Sequence, residues 1–154
     1  MTEVEIDRRT LDLNGGNATR LEASHDGYAA RHGLVHRRIL ILRDTGHELR
    51  GEDVLLPAGK TGKRGKIGFA IRFHLGPGVE ARLSDDRQGA GLALPDGSFW
   101  QFRVPQGEKT GELSIEESLW VDGQGRAHPI EQLVLQGLTS RSGGSFSWLL
   151  KKMG

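Results

Sequence analysis

The sequence predicts an all-β fold, specifically an antiparallel β-sandwich. Glycine-rich turns recur at regular intervals, apolar and polar residues alternate between them, and no stretch keeps the i, i+3, i+4, i+7 spacing of a helix. The turns are Asn14-Gly15-Gly16, Asp44-Thr45-Gly46, Gly76-Pro77-Gly78, Pro95-Asp96-Gly97, Asp122-Gly123-Gln124-Gly125 and Ser142-Gly143-Gly144. The chain has 23 glycines, a supply of residues that tolerate the positive φ such turns demand.

Taken in order, a strand ends near His25 and meets a turn at Asp26-Gly27-Tyr28; Gly33-Leu34-Val35-His36-Arg37-Arg38 opens the next strand, which runs on to Leu42. Pro57 to Lys66 is a glycine-rich loop between strands. The clearest strand follows, with Ile67, Phe69, Ile71, Phe73 and Leu75 on one face and Arg72 and His74 on the other. Trp100, Phe102 and Val104 repeat the pattern, as do Phe146, Trp148 and Leu150. Trp100 and Trp148 are therefore expected in the core. Trp120, between the Glu116-Glu117 pair and a turn, is the aromatic residue most open to a surface role.

The 154 residues contain no linker, repeat or low-complexity tract, so a single domain over 1–154 is expected. With 36% hydrophobic residues it can bury a core. Lys plus Arg number 21 against 20 Asp plus Glu, so there is no global field to draw in nucleic acid or an anionic membrane, and any polyanion site is a local patch. The absence of cysteine excludes disulfides and thiolate ligands. Met1 to Thr10 is charged where an export signal carries an apolar stretch of ~7–15 residues, and no run reaches the ~18 apolar residues of a membrane span. No signal peptide and no membrane insertion are expected.

Candidate chemistry concentrates between His25 and Arg38. In a hairpin, His25 and His36 can face each other at the ~4.5–5.5 Å that separates opposed Cβ atoms, with Tyr28 and Arg38 nearby. That geometry suits acid–base work. Equally, Asp26 can cap the turn, Tyr28 can pack, and the histidines can be ordinary polar strand residues. Zinc would need a third fixed ligand, and His32, His47, His74 and His128 show no metal-ligand spacing, so no metal and no cofactor is expected. Lys60, Lys63, Arg64 and Lys66 form a basic loop able to meet sulfate or carboxylate groups, or simply a solvated one. It is not a phosphate-binding loop, because a strand follows where a helix is required. No Gly-x-Ser-x-Gly elbow is present. Glu116 and Glu117 are strand neighbours that point to opposite faces, which rules them out as a glycosidase pair.

The ordered set Ser24-His25-Asp26-Gly27-Tyr28, Gly33-x-x-His36-x-Arg38, Leu49-x-Gly51-x-Asp53, Phe69-x-Ile71-Arg72-Phe73-His74-Leu75-x-Pro77-Gly78-Val79, Trp100-x-Phe102-Arg103 and Glu116-Glu117-Ser118 resembles heparinase II/III-type polysaccharide lyases over roughly Leu21 to Leu150. The resemblance implies the carboxyl-terminal β-sheet region of proteins that also carry an amino-terminal α/α toroid and cleave acidic polysaccharides by β-elimination. It further implies that the catalytic Tyr, the carboxylate-neutralising groups, a further catalytic His and any zinc ligands lie in sequence preceding this chain. No catalytic residue transfers to these positions. The chain begins close to where the resemblance begins, which suggests a fragment of a longer protein or a detached domain. By this reading it is a non-catalytic sandwich that supports an upstream toroid or lines its substrate cleft, in a protein of the periplasm or cell envelope. The alternative is an independent anionic-glycan module using Lys60, Lys63, Arg64 and Lys66, with Trp120 as platform. A third is a small β-elimination enzyme built on His25, Tyr28, His36 and Arg38.

Overall fold

Each glycine turn lies between two strands, and the result is 70% strand and 3% helix in the computed structural model, which describes residues 3–58, 65–105, 111–140 and 142–154. The elements are β1 (Val4–Leu13), β2 (Gly16–His25), α1 (Ala29–His32), β3 (Leu34–Arg43), β4 (Glu48–Pro57), β5 (Lys66–His74), β6 (Glu80–Leu83), β7 (Gly89–Ala93), β8 (Phe99–Arg103), β9 (Glu112–Val121), β10 (Ala127–Ser140) and β11 (Gly144–Met153). They form two sheets of the antiparallel sandwich class. Gly15, Gly16, Gly46, Gly78, Gly97, Gly125 and Gly143 all take positive φ, so the turn reading of these clusters holds at the level of the backbone.

The chain divides into two compact units, one of Met1–Gly68 with Leu138–Leu149 and the other of Phe69–Gly137 with Leu150–Gly154. In the first, β1 to β4 form a meander with β11 beside β4. Its register places His25 opposite His36, Arg38 opposite Asp53 and Leu40 opposite Gly51. Successive side chains alternate between faces, so His36, Arg38 and Leu40 share one face of β3 with their partners. The core of this unit includes Ala18, Leu34, Phe146 and Trp148, each less than a tenth exposed. The expectation for Trp148 is met.

In the second unit, β6, β7 and β8 form one meander and β10 lies between β5 and β9. The alternation expected of β5 is present along its whole length, and the Phe73 ring lies 4.9 Å from that of Phe102. Leu133, Val134 and Leu135 of β10 are almost wholly buried in succession, so both faces of this central strand are covered. Period-two reading looks for half-buried strands and passes over such a run. In β8, Phe102 is buried but Trp100 is only partly so, and Phe99 is 48% exposed. Phe99 instead lies over Gly91, where an added Cβ would come within 2.7 Å of its ring.

One of the closest approaches in the first unit is at Gly51, where a Cβ would meet the Trp148 ring at 2.1 Å. Gly51→Ala should therefore displace the indole and lower stability by about 1–3 kcal/mol, the usual cost of overpacking. Urea denaturation of the two proteins measures this, and an unchanged midpoint would contradict the packing described.

Candidate functional site

Asp53 is the most constrained polar group of the first unit, with 2% of its surface exposed. A buried carboxylate must be met by donors, because an unpaired charge in low dielectric is costly. The strand register supplies them. Arg38, directly opposite on β3, donates from Nε to Oδ1 at 2.7 Å and from Nη2 to Oδ2 at 3.3 Å. His36, two residues earlier on the same face, places Nε2 2.8 Å from Oδ1. Trp148, reaching over Gly51, donates its indole N–H to Oδ2 at 3.0 Å. Without a side chain at Gly51 there is room for that ring.

The chain of contacts continues outward. His36 Nδ1 lies 3.2 Å from His25 Nε2, and the Gly27 N–H donates to His25 Nδ1 at 3.2 Å. With both imidazoles neutral, these contacts have one self-consistent proton arrangement, assigned from the network. Gly27 donates into His25 Nδ1, so His25 carries its proton on Nε2 and donates to His36 Nδ1. His36 then carries its proton on Nε2 and donates to Asp53. Tyr28, 48% exposed, caps the cluster with its ring 5.3 Å from that of His25 and 6.5 Å from that of His36.

Thus the structure gathers His25, Tyr28, His36 and Arg38, and adds two members that sequence reasoning did not assign, Asp53 and Trp148. Burial alone would raise the Asp53 pKa, but the hydrogen bonds from His36, Arg38 and Trp148 and the Arg38 charge outweigh it and hold the carboxyl below its ordinary 3.8. Among the described residues, no group of three His, Cys, Asp or Glu is placed to hold a metal ion.

The basic-loop residues Lys60, Lys63 and Arg64 lie outside the described residues, whereas Lys66 opens β5 as an exposed side chain. Lys66 belongs to the first unit and Trp120 to the second. Trp120 is 43% exposed beside His128, their ring centroids 5.3 Å apart.

A family model described as heparinase II/III-like, C-terminal, matches residues 2–149. The match starts well before Leu21, so β1 and most of β2 belong to the shared pattern even though they carry no quotable motif. FtsZ-localized protein C of Caulobacter vibrioides is 33% identical over 139 residues, covering 86% of this chain and 23% of that protein. The fold is shared with the heparan sulfate lyase HepC of Pedobacter heparinus, at TM-score 0.74 and 11% identity over 96% of this chain and 22% of that one. It is also shared with a heparinase III gene product, at TM-score 0.68 and 13% identity over 97% of this chain and 22% of that one. The chain thus spans less than a quarter of the length of these relatives. No helix among the described residues is long and apolar enough to cross a membrane.

The depressed Asp53 pKa has a definite consequence for acid stability. A carboxyl whose folded pKa lies below its unfolded value adds stability above the unfolded value, and loses it as pH falls through the folded one. Asp53→Asn should lower the denaturation midpoint at neutral pH, on the order of 1–3 kcal/mol for the mismatched donors. It should also flatten the loss of stability below the ordinary carboxyl value of 3.8. Denaturation midpoints across pH 2–7 test both, and parallel acid limbs in the two proteins would contradict the assignment.

Proposed function

From the premise that the chain belongs to the heparinase II/III-like C-terminal family, we propose that it is a non-catalytic β-sandwich domain of a polysaccharide-lyase-type protein, supporting the catalytic domain or lining its substrate cleft. The parent reaction is β-elimination of a uronate-containing acidic polysaccharide, with the α/α toroid supplying the base and the carboxylate-neutralising groups. The compartment proposed with it is the periplasm or cell envelope.

The observation that supports this reading is the internal saturation of the His25–Arg38 cluster. All four ring nitrogens of His25 and His36 are engaged, with Gly27, with each other and with Asp53. Both Asp53 oxygens accept from Arg38. β-Elimination needs a base that reaches the C5 proton and a cation that meets the uronate carboxylate in the transition state. Here the imidazoles already have partners, and the Arg38 guanidinium is paired with a buried carboxylate. The cluster has the chemistry of a clasp.

A second reading is favoured by the relative with 33% identity, whose name places it with FtsZ. In that reading the domain serves a protein whose work is localisation, with the fold kept and lyase chemistry absent.

One assay separates these readings. The purified chain, incubated with heparin, heparan sulfate and alginate, should give no absorbance from unsaturated uronate, whereas a protein carrying the upstream toroid should. Sustained product from this chain alone, abolished in His25→Ala or Tyr28→Phe, would overturn the supporting role. Silence in the longer protein as well would favour the localisation reading.

A further inference from the structure

The His25–His36 pair has room for two protons and no more. His25 Nδ1 is bare to accept from the Gly27 N–H at 3.2 Å, His36 Nε2 carries the proton that reaches Asp53 at 2.8 Å, and one proton lies between the rings. The network is complete with the pair uncharged. A third proton has one seat that keeps both the inter-ring bond and the Asp53 bond, and that seat is His25 Nδ1. Its contact with Gly27 is exposed, so the proton arrives directly from water. Moving the inter-ring proton from His25 Nε2 to His36 Nδ1 then carries the positive charge to the ring beside the Asp53 carboxylate.

A proton on His25 Nδ1 sets two N–H groups against each other. The Gly27 N–H belongs to the same planar unit as the Asp26 carbonyl, which accepts from the Ala29 N–H at 2.9 Å. Reversing that one peptide exchanges its two ends. The Asp26 carbonyl then meets the new Nδ1–H donor, and the Ala29 N–H gives up its partner to water. The reversal demands a large change of φ at residue 27, which glycine accepts because it has no Cβ.

The backbone confines this movement to a single peptide. On one side the Asp26 N–H donates to the Glu3 carbonyl at 3.3 Å, and the Glu3 N–H donates to Asp26 Oδ1 at 3.1 Å. On the other, the His32 N–H donates to the Tyr28 carbonyl and the Gly33 N–H to the Ala29 carbonyl, both at 2.9 Å. Charged and titratable groups face the pair from several elements. Asp53 and Arg38 stand at its inner end, and Asp26 and Glu3 at the turn. Tyr28 covers both rings, with the His32 ring 6.4 Å from that of Tyr28 and Arg31 beside His32 in α1. β1 and β4 set Val4 opposite His25 and Leu55 opposite His36, and neither titrates. The carboxylates favour the added charge, whereas Arg38, Arg31 and a protonated His32 oppose it.

We propose that the Asp26–Gly27 peptide is a proton-driven switch, which reverses when the His25–His36 pair takes up a third proton and so frees the turn that carries Tyr28 into α1. Histidine is the side chain whose charge ordinarily changes between about pH 5 and 8, so mild acidification is the trigger. The inner part of the clasp, where Arg38 and Trp148 hold Asp53, stays closed. The switch rests on the proton arrangement of the two rings and goes beyond the lyase-domain reading, which does not require it.

The test is an NMR titration of the isotope-labelled 154-residue chain from about pH 8 to about pH 5. The expected result is that the His25 Nδ1 signal passes from a bare to a protonated ring nitrogen, and that the Gly27 and Ala29 amides shift with the same midpoint. The temperature dependence of the Ala29 amide should rise to that of a group bonded to water, while the Trp148 indole N–H keeps its position. His25→Asn places a non-titrating oxygen where Nδ1 stood, and it should abolish the response of both amides. Gly27→Ala should keep the Ala29 amide bonded throughout, although the imidazole still titrates. His32→Gln should leave the response intact. An Ala29 amide that stays bonded while His25 Nδ1 gains its proton would overturn the proposal. So would a response that survives His25→Asn or Gly27→Ala, or one that disappears in His32→Gln. Movement of the Trp148 indole with the same midpoint would contradict it too, because the whole cluster would then be opening. Thermal melting shows which variants fold, and the titration of the unaltered chain decides the matter if His25→Asn does not. None of these outcomes depends on the lyase assay.

Discussion

A single buried carboxylate dictates much of the first unit. Asp53 is almost without solvent, so its two oxygens must be filled by donors from fixed directions, and each donor comes from a different part of the chain. Arg38 and His36 fix the register of β3 on β4, because a slip of one residue would turn both side chains to the other face. Trp148 fixes β11 beside β4 from 95 residues away in sequence. Gly51 is required by the same arrangement, since the indole that reaches Asp53 occupies the space of its missing Cβ. Breaking a buried pair of this kind by removing one partner is expensive, on the order of 3–5 kcal/mol, which makes the cluster a specificity device for the sheet.

On the reading proposed above, the same saturation sets this cluster apart from an acid–base centre. Catalytic imidazoles need a nitrogen directed at substrate, and the geometry here commits every ring nitrogen inward or to the Gly27 N–H. What the cluster itself offers at the surface is the Tyr28 ring. In the second unit the Trp120 ring shares a sheet face with the Arg72–Glu116 and His74–Ser118 pairs.

Much of this was legible in the sequence, for identifiable reasons. Glycine turns mark strand ends because only a few residues accept positive φ, and seven of the glycines in those clusters adopt it. The opposition of His25 and His36 follows from hairpin geometry once a turn is placed between them. Asp53 could have been found by counting outward from the Asp44-Thr45-Gly46 turn, which sets Arg38 against Asp53. Its motif, Leu49-x-Gly51-x-Asp53, stood in the family resemblance as a pattern without a role. Trp148 could not be found that way, because no turn links β11 to β4 and only the tertiary pairing brings them together. The exposure of Phe99 and the partial exposure of Trp100 escaped because alternation gives a face but does not say how completely that face is covered. The buried run Leu133-Val134-Leu135 escaped for the opposite reason, having no alternation to detect.

The central claim is that His25 and His36 form a one-way hydrogen-bond chain from the Gly27 N–H to Asp53, and long-range nitrogen–proton correlation NMR of the imidazole rings tests it most directly. The account predicts that both neutral rings are Nε2–H tautomers with unprotonated Nδ1 atoms. An Nδ1–H tautomer at either ring would contradict it, because that proton would face the Gly27 N–H at His25 or reverse the bond to His25 at His36.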